Sequence, residues 1–517
     1  MPKQTAFGID FGTTNTRVAY YDGQRLRMVP FITAAGQSFQ LPTLVSYRNG
    51  EPVAFGAEAR RQQQGVLPPR PLKWLLGGDL PIEVEGSKLE PVEIVADFFR
   101  HLKQLVGKAV KAEPLNRAAL TIPVHYPPKA REQLQEACEK ANIKVTNFFF
   151  EPIAAIYCSL AARPVSGVTA VFDWGGGSLD IATVQITGSV AMTRQIDGWH
   201  RGGSDFDRAI CEQAVNDFLL RQPQIQHTAD VILDRMTIGR NLRLLAETAK
   251  ERLTTAPQAS LSYGGFLGSA NLLYPITRDQ FEALIETDIV GAVTRLDHAL
   301  HATGTSPKLL ARLFLSGGTC NIPRIKDCLA GRFGERIVSR LELPPALRHV
   351  GVGSDGTSDI GNATAMGAAL LAVHGAEPVF SNAVGVRLAD AAGDHFYPVF
   401  QAGERLTFDR KEVKFFVSDA SSGVARLLIC DQSDPVLQPA GRLLRIVPVP
   451  IDKNETWLKV GFTLDRHLVL KIEASGVKVR AQATDPVWIQ HLSLGFHLPP
   501  QAAAATQPIG ASVRAAL

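Results

Sequence analysis

Two segments of this chain repeat one plan, and that repetition constrains the fold more than any other feature. Phe7-Gly8-Ile9-Asp10 runs into Phe11-Gly12-Thr13-Thr14-Asn15, and Ala170-Val171-Phe172-Asp173 runs into Trp174-Gly175-Gly176-Gly177-Ser178, with Asp180 just beyond. In each, an apolar strand ends at an Asp and a turn of small and hydroxyl residues follows. Glycines let backbone N–H groups approach phosphate oxygens closely, and Thr and Ser hydroxyls donate further hydrogen bonds. A carboxylate at the strand end can hold a hydrated Mg²⁺, an ion that prefers oxygen ligands and keeps several waters. A third strand-to-glycine turn, Leu313-Phe314-Leu315-Ser316-Gly317-Gly318-Thr319, precedes a helix-like stretch and suits a nucleoside. A single turn of this kind is more often an ordinary tight connection. Three of them, two sharing the Asp position, point together to phosphate binding. The chain has no GxxxxGK[ST], which excludes a P-loop enzyme.

Around these turns the sequence alternates between short apolar runs and segments of helical period. Val168–Phe172, Ala118–Ile122 and Leu313–Leu315 read as buried strands, apolar without alternation. Lys129–Ala141 places Leu134, Ala137, Cys138 and Ala141 on one helical face, and Ile238–Leu253 does the same with Ile238, Leu242, Leu245, Ala249 and Leu253. Strands alternating with helices predict an α/β architecture from residue 5 to about residue 375. Beyond residue 376 the texture changes. Trp457–Leu464 puts Leu458, Val460, Phe462 and Leu464 on one face, Asp465-Arg466-His467 makes a turn, and Leu468, Leu470, Ile472 and Ala474 alternate again. That is a β-hairpin with one buried face. Glu412–Ser418, Val424–Cys430 and Leu443–Val449 are further strands, so an all-β module is expected, followed from Pro499 by a tail of flexible composition.

Composition narrows the partners. With 54 Lys and Arg against 50 Asp and Glu the net charge is +4, too weak over this length for a nucleic-acid or anionic-membrane surface. The longest uncharged apolar stretches, Pro152–Ala162 and Ala365–Val373, are too short to span a bilayer. Cys138, Cys158, Cys211, Cys320, Cys328 and Cys430 lie far apart, with no CxxC and no zinc spacing, and read as buried small hydrophobes in a reducing compartment. The N-terminus reaches an acidic residue before a signal-peptide apolar region forms, so a cytoplasmic location is expected.

GIDFGTTNT, FDWGGGSLD and LSGGTCNIP resemble the two phosphate motifs and the adenosine motif of the actin, sugar-kinase and heat-shock ATPase superfamily. PLKWLLGG at 71–78, LTIPVHYPPKAR at 120–131, FEPIAAIY at 150–157 and RGGSDFD at 201–207 narrow the resemblance to the heat shock protein 70 chaperones. The resemblance implies a two-lobed, actin-like α/β ATPase with ribonuclease-H-like halves over residues 1–375 and a linker at 376–388. It further implies a β-sandwich peptide-binding domain over 389–498, with 499–517 as the flexible tail. By the same resemblance Asp10 and Asp173 hold Mg²⁺ through water. Gly12, Thr13, Thr14, Asn15, Gly175, Gly176, Gly177 and Ser178 cradle the phosphates of ATP or ADP. Gly202, Gly203, Glu247, Lys250, Gly317, Gly318 and Thr319 complete the nucleotide site. Lys73, Glu151, Asp173 and Asp180 stand at the reacting centre, and Pro123 passes the nucleotide state to the β domain.

Two positions depart from the resemblance. Where the family stacks an Arg on adenine this chain has Glu251, with Arg252 turned about 100° around the helix, and a second such Arg is replaced by Asn321. Glu and Asn do not stack as a guanidinium does, so weaker nucleotide affinity or relaxed base preference is expected. The segment Ala376–Leu388 lacks the family's aliphatic linker run, and the stretch after Gly476 shows no amphipathic period for a helical lid. The leading expectation is a chaperone-like Mg²⁺-dependent ATPase that binds unfolded or extended apolar polypeptide in protein folding and stress response, with co-chaperones or a nucleotide-exchange factor as further partners. The alternatives are a nucleotide-gated scaffold for one dedicated partner with weak or no ATPase activity, and a small-molecule kinase.

Overall fold

The computed structural model describes residues 5–340 and 361–497, apart from 34–35, 62–64, 111–113, 125, 161–165, 188–189, 226, 235, 391–392, 408, 434, 437, 466–467, 478–486, 490–491 and 493. The described residues fall into two compact units. One is drawn from Met1–Val168, Thr183–Ile196 and Glu342–Leu517, the other from Thr169–Ala182 and Asp197–Leu341.

At the centre of the first unit is the strand Ala6–Phe11, parallel to Arg117–Ile122 on one side and antiparallel to Asn15–Tyr21 on the other. Lys144–Phe150 extends the sheet beyond Arg117–Ile122, and Leu26–Met28 extends it beyond Asn15–Tyr21. Phe7, Ile9 and Phe11 on one face and Gly8 and Asp10 on the other are all buried, as expected of a central strand covered on both faces. Phe11 stacks against Phe98 and Phe99 of the helix Pro91–Ala109, which the sequence reading did not single out.

The two uncharged apolar stretches turn out to be partners in the core. Helix Asn362–His374, NATAMGAALLAVH, packs against both helix Glu151–Leu160 and the central strand. A Cβ at Gly8 would lie 2.3 Å from the Ala369 backbone nitrogen, and one at Gly367 would lie 1.8 Å from the Ala154 carbonyl. Small residues on both sides let the backbones approach to a distance that any side chain would forbid. Among the described residues no helix is long and apolar enough to cross a membrane.

The second unit holds the strand Leu310–Ser316, paired in parallel with Val338–Arg340, and the helices Gly203–Leu220, Met236–Leu253 and Arg278–Ala302. The expected apolar face of Met236–Leu253 is present in Leu242, Ala249 and Leu253, but Ala246 is buried where Leu245 is only half-buried. Hairpin Gln258–Leu267/Ala270–Thr277, which packs on this helix, was not anticipated.

In the first unit the chain beyond residue 376 forms two four-stranded antiparallel sheets. Gly393–Phe400, Ala383–Asp390, Val424–Gln432 and Arg442–Pro450 make one; Lys411–Phe416, Trp457–Leu464, Leu470–Gly476 and Val487–Ile489 make the other. Their buried faces meet through Phe400 and Phe462, ring centroids 6.3 Å apart and edge-on. The expected hairpin is present with Leu464 opposite Leu470. Leu468, expected in the alternation, instead has φ +62° and closes the turn by donating its N–H to the Asp465 carbonyl.

The stretch 376–388 carries the strand Glu377–Phe380 and most of Ala383–Asp390. A later strand, Leu494–His497, lies between Glu377–Phe380 and Val190–Met192, antiparallel to both. Leu494 and Phe496 are buried, and the Phe496 ring meets Phe149 edge-on. The tail 499–517 lies outside the described residues. Cys138, Cys158, Cys211, Cys320 and Cys430 are buried free thiols, as expected; Cys328 is only partly buried.

Candidate functional site

The first unit gathers buried charge at one end of its central strand. Asp10 faces Thr121 in the parallel register and Arg17 in the antiparallel one, so the three side chains share a face of the sheet. The Thr121 hydroxyl donates to Asp10 Oδ1 at 3.2 Å, and Arg17 Nη1 lies 3.9 Å from Asp10 Oδ2. Lys73, in the short turn of helix Leu72–Leu75 after Pro71, is 3% exposed and donates to Glu151 Oε1 at 2.7 Å. Glu151 opens helix Glu151–Leu160, where an acidic group is favoured by the helix dipole. Burial, and then the Glu151 carboxylate, push Asp10 up to about 6; Arg17, Lys73 and the Thr121 hydroxyl pull the other way.

Tyr126 braces this cluster. Its hydroxyl donates to the Lys73 carbonyl at 3.0 Å and its ring lies 5.8 Å from the Lys73 ammonium. Its own carbonyl accepts from Nε of Arg131, which is buried on helix Pro128–Lys140; burial lowers the Arg131 guanidinium to about 10, against the pull of Asp465. The turn after the central strand requires glycine: a Cβ at Gly12 would lie 2.3 Å from the Asn15 carbonyl oxygen. Thr14 accepts from the Thr43 N–H at 2.9 Å, which fixes the turn beside Thr13.

In the second unit three glycine turns converge. The Gly203 N–H donates to the Gly175 carbonyl at 3.1 Å, and Ser204 N–H to Gly176 at 2.7 Å. A Cβ at Gly202 would meet Gly176 backbone at 2.8 Å. Gly317 has φ +81°, and a Cβ there would lie 2.3 Å from the Trp174 carbonyl oxygen and 2.7 Å from Asp173 Oδ1. Thr319 Oγ1 donates to the Gly175 carbonyl at 2.8 Å, joining the third turn to the second. Ser178 Oγ donates to Asp180 Oδ2 at 3.1 Å. Gly175, Gly176, Ser178, Gly202, Gly203, Gly317, Thr319, Asp173 and Asp180 are therefore brought to one place, as are Asp10, Lys73 and Glu151 in the first unit.

On helix Met236–Leu253, Lys250 is engaged by its own unit. Its ammonium lies 2.8 Å from Asp207 Oδ1 and donates to the Gly203 carbonyl at 2.8 Å. Burial lifts Asp207 to about 6, Lys250 opposes this, and the carboxylates of Glu247 and Glu251 add to it. The ammonium thus meets one carboxylate, and Glu247 and Glu251 act on that carboxylate in turn. The sequence reading assigned no role to Thr121, Tyr126, Arg17 or Asp207. Thr121 was detectable as the polar residue in an otherwise apolar strand, and Asp207 as the last residue of RGGSDFD.

The geometry defines a class: an α/β protein whose strand ends carry carboxylates beside tight glycine turns. Residues 73–344, more than half of the chain, match the model of the Hsp70 protein family, and the chain belongs to that family. With membership come the actin-like ATPase fold and an ATP-binding, chaperone-like function.

Proposed function

We propose that this protein binds and hydrolyses ATP and couples it to the capture of extended apolar peptide segments. The cluster of the buried Asp10 and Lys73 with the partly buried Glu151 is the observation that carries this reading. Burying ionised side chains is costly unless they pair or serve a ligand, and Asp10 stands two residues before the Gly12 turn. The residues fit the expected group: Asp10 and Asp173 each stand at or next to the end of a strand, and Mg²⁺ takes one or two carboxylates when phosphates and water complete its shell. When bound, Mg²⁺ neutralises charge on the transferring phosphoryl group.

The protein's own part is positioning. Gly12, Thr13, Thr14 and Asn15, with Gly175, Gly176, Gly177 and Ser178, present N–H and hydroxyl donors to phosphate oxygens. Lys73, held by Glu151, places a positive charge at the terminal phosphate and orients the attacking water. Glu151 and Asp180 are the carboxylates suited to accept its proton. Gly202, Gly203, Gly317, Gly318 and Thr319 shape the wall for the nucleoside, where Glu247 and Lys250 reach the ribose and base.

The two β sheets suit a β-sandwich peptide site following a two-lobed ATPase. Strand Arg442–Pro450 stands last in its sheet and exposes Leu443 and Ile446. Pro448 and Pro450 have no N–H, so an added peptide strand would pair along the first half of this edge. The Lys73–Tyr126–Arg131 chain, with Asp465 of the hairpin turn acting on Arg131, is a route by which the two functions communicate.

A second reading, a nucleotide-gated scaffold for one partner, is favoured by the exposed Glu251 on the helix that carries Lys250. A peptide array separates the two. Many apolar hits, competed by a soluble extended peptide, are expected of the chaperone-like protein; silence across the array would leave the scaffold.

A further inference from the structure

The turn Gly202–Gly203 closes on Gly175 and Gly176, but two glycines cannot hold it there. With no Cβ they have the widest backbone freedom of any residue, so the turn must be fixed from outside. The segment before it supplies the fixing. Asp197, Trp199 and Arg201 alternate along the chain at the end of strand Val190–Trp199, and each meets helix Arg278–Ala302 of the same unit. Arg201 forks onto Asp288, with Nε 2.7 Å from Oδ1 and Nη2 3.1 Å from Oδ2. The Trp199 ring lies over Gly291, where a Cβ would sit 3.3 Å from Trp199 Cη2. Arg295 places its guanidinium 5.3 Å from the centre of the same ring and donates to Asp197 Oδ1 at 3.3 Å. Asp288, Gly291 and Arg295 follow one another by three and four residues, which places them on one helical face.

This clamp ends one residue before the turn. The Arg201 carbonyl accepts from Trp174 Nε1 at 2.9 Å, and the Gly202 N–H donates to Asp205 Oδ2 at 2.8 Å. Trp174 is fully buried and directly precedes Gly175, so the residue entering one glycine turn is tied to the backbone entering the other. A bidentate guanidinium–carboxylate pair fixes orientation as well as distance. As a source of stability the Arg201–Asp288 pair is weak, because the Arg201 side chain is 43% exposed and water screens it. What the fork does fix is the place of residue 201, and with it the backbone of the next residue. The same helix also holds the element after the third glycine turn. There Arg324, in the first turn of helix Pro323–Phe333, forks onto Glu286 at 3.0 and 2.7 Å.

We infer that Asp288 is a positioning residue: through Arg201 it sets the Gly202–Gly203 turn against Gly175 and Gly176, where nucleotide phosphate is received. This rests on the reading that these turns hold phosphate. The test is calorimetric binding of ADP, in saturating Mg²⁺, to the full chain and to its Asp288→Ala, Asp288→Asn and Arg332→Gln variants. Arg332 is the control: it pairs with Asp297 of the same helix at 2.8 Å and similar exposure, but at the far end of helix Pro323–Phe333 from the third turn. Asp288→Ala should weaken ADP binding about tenfold, the worth of one charge-assisted hydrogen bond to phosphate lost as the turn drifts. Asp288→Asn keeps an acceptor for the guanidinium and should lose less than about threefold. Arg332→Gln should lose less than about twofold. An Asp288→Ala variant that binds ADP like the wild type would overturn the inference. So would an equal loss in Arg332→Gln, the mark of a helix that merely supports the fold, or an Asp288→Asn variant no better than Asp288→Ala. If Asp288→Ala does not fold, Arg201→Lys, which keeps the charge and loses the fork, should weaken ADP binding about threefold to fivefold. An unchanged affinity there overturns the inference as well. A wild type that binds no ADP would instead remove the nucleotide reading itself, and the inference with it.

Discussion

The Asp10 cluster of the first unit and the Lys250 cluster of the second are built on opposite principles. Around Asp10 two carboxylates meet two cations, with a short Lys73–Glu151 contact of 2.7 Å, a longer Arg17–Asp10 contact of 3.9 Å, and bracing by Thr121 and Tyr126. Around Lys250 one ammonium meets Asp207, whose carboxyl also feels Glu247 and Glu251, and Glu251 faces solvent. Buried charges are retained only with their partners, because removing one leaves the other stranded at a cost of about 3–5 kcal/mol. An exposed position on a helix tolerates a change of charge for well under 1 kcal/mol. The difference means that the Asp10 cluster resists substitution where position 251 tolerates it.

The comparison makes predictions of decreasing size. The largest concerns Asp207, whose folded pKa of about 6 lies above its ordinary 3.8. The folded state then holds the proton more tightly than the unfolded chain. This group therefore opposes folding fully above about pH 6, and that penalty disappears as the pH falls toward 3.8. Denaturant unfolding of wild type and Asp207→Asn from pH 7 to 4 should show a relative gain for the wild type of no more than about 3 kcal/mol as the pH falls. Parallel pH profiles would mean that the carboxylate cluster around Lys250 imposes no strain. A smaller effect is expected at Glu251. Restoring a stacking guanidinium with Glu251→Arg should tighten ATP binding about fivefold to tenfold, the worth of one cation–π contact. Calorimetry showing tight binding in the wild type that ignores this change would erase the contrast between the two regions.

What could be read in advance follows the same division. The glycine turns were legible because the backbone there forbids a Cβ, as at Gly12 and Gly317. The central strands were legible because burial on both faces leaves only apolar residues. Asp10 and Asp173 were placed by their position at the strand ends, and Lys73 only by the motif around it, since a lone lysine carries no signal of burial. Arg17 escaped because one charged residue within a strand looks like an outward-facing side chain. Only the cross-strand register with Asp10 and the bare backbone at Gly361 reveal its setting. Strand Leu494–His497 was invisible for another reason: four residues carry too little pattern, and its partners lie far back in the sequence at Val190–Met192 and Glu377–Phe380. Leu468 was misplaced because hydrophobic alternation continues through a left-handed residue that ends it structurally.

The central claim is that the buried Lys73–Glu151 pair serves phosphoryl transfer. Mg²⁺-dependent ATP turnover, measured for wild type and Lys73→Ala with and without an unfolded apolar peptide, tests it most directly. The wild type should turn over ATP and respond to peptide. Lys73→Ala should lose at least about a hundredfold in turnover, the effect of removing one preorganised charge at the reacting phosphate, while still binding ADP. Turnover that is unchanged in Lys73→Ala would contradict the assignment.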